Sequence, residues 1–130
     1  MPPDEDARAI LMLALRHEQS LAASLDPAFA QENWGFLVHQ CVENLLKALI
    51  VLADQRPPLS HDLARLELLS GARLPEALLE LQDFAVKARY SPAATPLPAT
   101  REQILALIRQ LRAELEEQLA GWSSPQPPIA

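Results

Sequence analysis

The chain has 130 residues, enough for one domain with a sizeable core, and a formal net charge of −6, which argues against a general DNA- or RNA-binding surface. Its one cysteine, Cys41, excludes an internal disulfide and fits a reducing cytoplasm. The acidic start MPPDEDAR lacks the basic and apolar regions of a secretory signal, and Glu43, Asn44 and Lys47 interrupt the longest apolar run, which argues against a membrane span.

Every apolar segment repeats with helical spacing. Asp4 to about Leu25 reads as a first helix with the stripe Ile10, Leu13, Ala14, His17, Leu21 and Leu25. Asp4, Glu5 and Asp6 complement the positive end of its dipole. Asp26-Pro27 marks a corner. The second helix is expected from about Ala28 to Asp54, ended by Pro57-Pro58. Ser60 is the expected N-cap of a short third helix, His61 to about Leu69, closed by Ser70-Gly71. Pro75 fits the first turn of a fourth helix reaching about Tyr90, with Leu78, Leu81, Ala85 and Ala88 inward and Phe84 beside them. SPAATPLPA reads as a loop. Thr100 with Gln103 forms a capping box for the last helix, whose stripe is Ile104, Leu107, Ile108, Leu111, Leu115 and Leu119 and which ends at Gly121. The expected fold is all-α: an antiparallel up-and-down bundle of four long helices plus one short helix. One domain over 4–121 and a disordered tail over 122–130 complete that reading.

The second helix carries the chemistry. His39, Glu43 and Lys47 recur every four residues, with Gln40 and Asn44 beside them, while Leu37, Val38, Cys41, Val42, Leu45, Ala48, Leu49 and Leu52 cover the other half. A helix this apolar must be surrounded by protein, so its polar stripe needs partners. Either the stripe is paired inside the fold, which would make the chain a plain helical adaptor, or it lines a cleft where Lys47 meets a phosphate or carboxylate. Asp62 suits the first turn of the third helix, and Arg89 at the end of the fourth suits its last carbonyls. Cys41 reads as an inert core thiol. The sequence has no nucleotide-binding glycine loop, no HExxH and no paired cysteines, and His17, His39 and His61 lie in separate segments. No metal and no cofactor is therefore expected.

The order Phe36-x-x-His39-Gln40-x-x-Glu43-Asn44-x-x-Lys47-Ala48-Leu49, then Ser60-His61-Asp62-Leu63, then Ala88-Arg89-Tyr90, resembles the HEPN domain family (higher eukaryotes and prokaryotes nucleotide-binding). The resemblance runs from about residue 6 to 119. It implies a helical bundle, often a homodimer, that binds a nucleotide or serves as a scaffold. Such domains often partner a minimal nucleotidyltransferase as toxin and antitoxin. The ligand-binding set implied here is His39, Glu43, Lys47, His61, Arg89 and Tyr90. Catalytic members are metal-independent endoribonucleases with an Arg, four to six residues, then a His, late in the domain. Here no His follows Arg89, and the one spacing match, Arg56 to His61, lies in the earlier turn. The expectation is thus a non-catalytic HEPN protein, with an RNase toxin using Arg56 and His61 as the alternative. Ser91 displaces the proline that usually follows Ala-Arg-Tyr in the family.

Overall fold

The computed structural model describes residues 2–90, 92 and 94–122, with the helical backbone alone at 87–89. Among the described residues there are six helical segments and no strand. They are α1 (Pro3–Ala23), α2 (Gln31–Leu52), α3 (Leu63–Ser70), α4 (Glu76–Leu79), α5 (Gln82–Tyr90) and α6 (Arg101–Gly121). Three of these are long. The expected fourth long helix is two short ones, broken at Glu80-Leu81, where Leu81 and Phe84 close turns onto Leu78 and Leu81. The break turns Leu78, Leu81 and Phe84 all into the core.

Helix α2 is the axis of the fold. Its most extensive contact is with α1, and α3, α5 and α6 also pack against it. Trp34 Nε1–H donates to the Leu21 carbonyl at 3.2 Å, and Cys41 Sγ donates to the Ala14 carbonyl at 3.4 Å, so α1 and α2 run antiparallel. Helix α2 is long and apolar enough, by length and composition, to cross a membrane, yet 67 % of its most apolar stretch is buried inside the fold. Protein already covers it, as expected of a core helix.

The inner face of α1 differs from the expected stripe. Ala7, Leu11, Ala14, Glu18 and Leu21 are buried, whereas Leu13 is 46 % exposed. That set follows the alternating four-and-three spacing of helices packed at a shallow angle. It places a glutamate in a core position, which an apolar-only reading of the stripe rejects. Glu18 is accommodated by α6: Arg112 Nε donates to its Oε1 at 2.7 Å, and Arg109 approaches Oε2 at 3.9 Å. Arg112 also pairs with Glu116, and the hydrogen bond it donates to Glu18 pushes the guanidinium further above its ordinary range.

The helix ends also correct the sequence in detail. Helix α2 starts at Gln31, not Ala28, because the Asp26 carboxylate accepts from Ala28 N–H at 2.7 Å and holds the corner. Helix α3 starts at Leu63 rather than His61. Its N-cap is Asp62, whose Oδ1 accepts from Ala64 N–H at 3.1 Å, while the expected cap, Ser60 Oγ, accepts from Asp62 N–H one step earlier. Gly71 closes α3 with φ 75°, and the Thr100–Gln103 capping box of α6 is formed in both directions. Along α6, Leu105 is buried as well, and Leu107 is only half-buried. Trp122 packs against the core, and residues 123–130 of the expected tail lie outside the described residues.

Arg101, the first residue of α6, sits where a cation opposes the helix dipole. Its contacts explain it. It donates to the carbonyls of Ser24 and Asp26 at 2.9 Å and of Phe29 at 2.7 Å, and stacks 5.5 Å from the Trp34 ring centroid. One guanidinium thereby satisfies the turn between α1 and α2.

At the end of α2, Gln55 N–H reaches the Ile50 carbonyl and Asp54 N–H the Val51 carbonyl, with Asp54 at φ 59°. This is a Schellman closure with a non-glycine residue in the left-handed position. Asp54→Gly is therefore expected to stabilise the chain by about 0.5–1 kcal/mol. A urea melt with an unchanged or lowered midpoint would contradict it.

Candidate functional site

The polar stripe of α2 is paired by its own neighbours on the helix, by the loop after α2 and by α5. His39 is fully buried. Its Nε2–H donates to the His61 carbonyl at 2.9 Å and lies 3.3 Å from Gln82 Oε1, while its Nδ1 lies 3.4 Å from the Gln40 amide. Acceptors at Nε2 and a donor at Nδ1 place the ring proton on Nε2. Gln82 Oε1 also accepts from Leu63 N–H at 2.8 Å. Together, His39 and Gln82 fasten the start of α3 to α2 and α5. His39 is thus a structural pin, and its ring is closed to a ligand.

One turn further along α2, Glu43 is 5 % exposed. Its Oε1 accepts from His61 Nδ1–H at 2.7 Å and its Oε2 from Lys47 Nζ at 3.2 Å. Each oxygen therefore holds one donor. The donors differ in exposure: the Lys47 side chain is 17 % exposed and that of His61 69 %. His61 is gripped at two points, by its carbonyl through His39 and by Nδ1 through Glu43. That fixes the ring with Nε2 left as its remaining polar atom. The product is a pair of nitrogen groups, Lys47 Nζ and the His61 ring, seated on one buried carboxylate.

The other expected site residues are placed less tightly. Arg56 is exposed and lines a shallow groove of about 320 Å³ with Pro3, Asp6 and Asp54, whereas His61 faces Glu43. Tyr90 ends α5 with its side chain 78 % exposed. The side chain of Arg89, the remaining member of the expected ligand-binding set, lies outside the described residues. Gln82 was not legible in the sequence, since a lone Gln before an apolar helix carries no spacing signal. Glu18 was legible in principle, because the spacing 7, 11, 14, 18, 21 puts it on the inner face.

Cys41 is buried and hydrogen-bonded to Ala14, and burial, with Glu18 adding to it, pushes its thiol up to about 12. It remains a protonated core group, not a nucleophile. His17, half-buried on α1, is lowered by the same loss of solvent. Among the described residues no group of three or more His, Cys, Asp or Glu side chains is placed to hold a metal.

The family model for the HEPN domain matches residues 32–118, about two thirds of the chain. The chain belongs to the HEPN domain family. The match spans the whole of the paired site, from His39 and Glu43 on α2 through His61 to Gln82 on α5. No curated protein and no solved structure gives a match. In this HEPN domain the buried carboxylate and its two nitrogen partners are the best-organised polar surface that the second helix offers.

Proposed function

We propose that this HEPN domain is a non-catalytic binding module that takes a phosphate-bearing ligand, a nucleotide in the first instance, at Lys47 and His61. The observation that carries the proposal is the seating of both side chains on the buried Glu43 carboxylate. Two donors held at fixed positions lose little conformational freedom when an anion arrives, which favours binding. The carboxylate beneath them also sets a limit. It offsets the Lys47 charge, so a singly charged anion gains little, and a polyphosphate with several negative oxygens gains more. Family membership extends the reading to a cytoplasmic homodimer and to a nucleotidyltransferase partner. Exposed Met12, Leu13 and Val86 leave apolar surface for such contacts.

Thermal unfolding with ATP, GTP and AMP checks this. A ligand at about a hundredfold excess over its Kd stabilises by about 2.7 kcal/mol, well within reach of a melt. Stabilisation by at least one nucleotide, lost in Lys47→Met, is the expected result. No shift with any of the three at millimolar concentration would leave the cluster as a fold pin and the chain as a helical adaptor.

One feature favours a second reading, an endoribonuclease. A carboxylate that fixes an imidazole through Nδ1–H leaves Nε2 for proton transfer, and Lys47 supplies a cation beside it. Cleavage of unstructured RNA without metal, abolished by His61→Ala, would replace the binding reading with this one.

A further inference from the structure

We propose that the outer face of α3, with the loop before it, is a docking surface for an acidic amphipathic helix of a partner protein. The loop that carries Leu59 also carries His61, so this surface adjoins the Lys47–His61 pair, but the inference does not rest on the ligand proposed there.

Three of the chain's exposed large apolar side chains fall within this one segment: Leu59 at 100 %, Leu68 at 81 % and Leu69 at 48 %. The segment is not loose. His39 and Glu43 hold His61, Ser60 holds the Asp62 amide, Asp62 caps α3, and Gln82 holds the Leu63 amide. Leucines displayed on a pinned backbone lose little entropy on binding, and clustered exposed leucines are unusual on a surface that has no partner. An open groove of about 430 Å³ lies at the end of α3, lined by Glu67, Leu68, Gly71, Ala72, Arg73 and Leu74. It has the size to take a large apolar side chain beside Leu68.

Residues 56–74 carry three arginines against two acids, a net positive stretch on a chain of net charge −6. Arg56, Arg65 and Arg73 are exposed and form no ion pair or hydrogen bond among the described residues. The two acids of the same stretch are engaged with backbone, Asp62 as the cap and Glu67 by accepting from Leu74 N–H at 2.6 Å. Exposed leucines on a segment that also carries unpaired arginines match a helix with an apolar face and acidic flanks. A second copy fits less well. A two-fold contact would set this net positive stretch against its own copy, like charge on like. RNA would meet the arginines but would leave the leucines unused, on a chain of net charge −6.

The test is an NMR titration of the full chain with a synthetic amphipathic peptide of Leu and Glu, about 18 residues long, enough for five helical turns. A Leu/Lys peptide of the same pattern and an oligouridine serve as comparisons. The expected result is amide shifts concentrated in residues 56–74 with the Leu/Glu peptide alone. Leu59→Ala with Leu68→Ala should weaken it by about tenfold or more, as for truncated anchor residues. Arg65→Glu with Arg73→Glu should weaken it comparably at low salt and is an independent check should the leucine variant fail to fold. The proposal is overturned by an unchanged spectrum at millimolar Leu/Glu peptide, or by equal binding of the Leu/Lys peptide. Oligouridine binding on this face that survives Leu68→Ala would reassign it to nucleic acid. A dimer seen by sedimentation and dissolved by Leu68→Ala would reassign it to a second copy.

Discussion

Gly35→Ala is expected to destabilise the protein by about 3 kcal/mol, near the upper end of what overpacking a core costs. A Cβ built on Gly35 would lie 2.2 Å from one Phe84 ring carbon and 2.6 Å from two others, far inside contact distance. The ring cannot swing away, because Phe84 is fully buried and α5 is held against α2 by the Gln82 contacts. Either α5 moves outward or α2 bends, and both unpack the residues around Trp34 and Phe84. The cause can be isolated. Phe84→Leu alone should be destabilising through the cavity it leaves, but the double variant should recover part of the Gly35→Ala loss. Urea melts of the single variants and the pair provide the comparison. Additive losses would show that Phe84 is not what excludes the methyl group.

Glu43→Gln is expected to cost about 2–3 kcal/mol, and the size follows from the unequal exposure of its partners. Lys47, 17 % exposed, loses its counter-ion in a place where water reaches it poorly. His61, 69 % exposed, can turn its Nδ1–H to water at little cost. The new amide also presents a donor to one of two donors. Coupling energies should therefore differ: large between Glu43→Gln and Lys47→Met, and about 1 kcal/mol or less between Glu43→Gln and His61→Ala. A loss below about 0.5 kcal/mol for Glu43→Gln would mean that the cluster is a solvated surface pair and that its apparent burial does not hold.

The two predictions probe different faces of the same helix. Gly35 tests how closely α5 approaches α2, and Glu43 tests what the polar stripe holds. A chain that tolerated Gly35→Ala but not Glu43→Gln would have its helices positioned by polar pins. The reverse result would make apolar fit dominant and free the stripe for ligand work.

The sequence by itself determined the helical class, the position of the corners, the capping box at Thr100 and Gln103, and the family through its spaced motifs. Those are local properties: periodicity, proline placement and cap chemistry act within a few residues and need no knowledge of neighbours. It also determined that His39, Glu43 and Lys47 share a face, since 3.6 residues per turn dictate that. What the face meets was decided only by tertiary structure. The helix spacing cannot say that Glu43 turns to His61, that Gln82 ties α5 to the start of α3, or that Arg112 allows Glu18 into the core. Each of those contacts joins residues 18 to 94 positions apart. The split of the fourth helix at Glu80-Leu81 has the same origin. An uninterrupted helical pattern runs through that stretch, but burying Leu78, Leu81 and Phe84 together wins over local continuity. Propensity sets what a segment can form, and packing chooses among those forms because apolar burial in the assembled core is worth more than one helical turn.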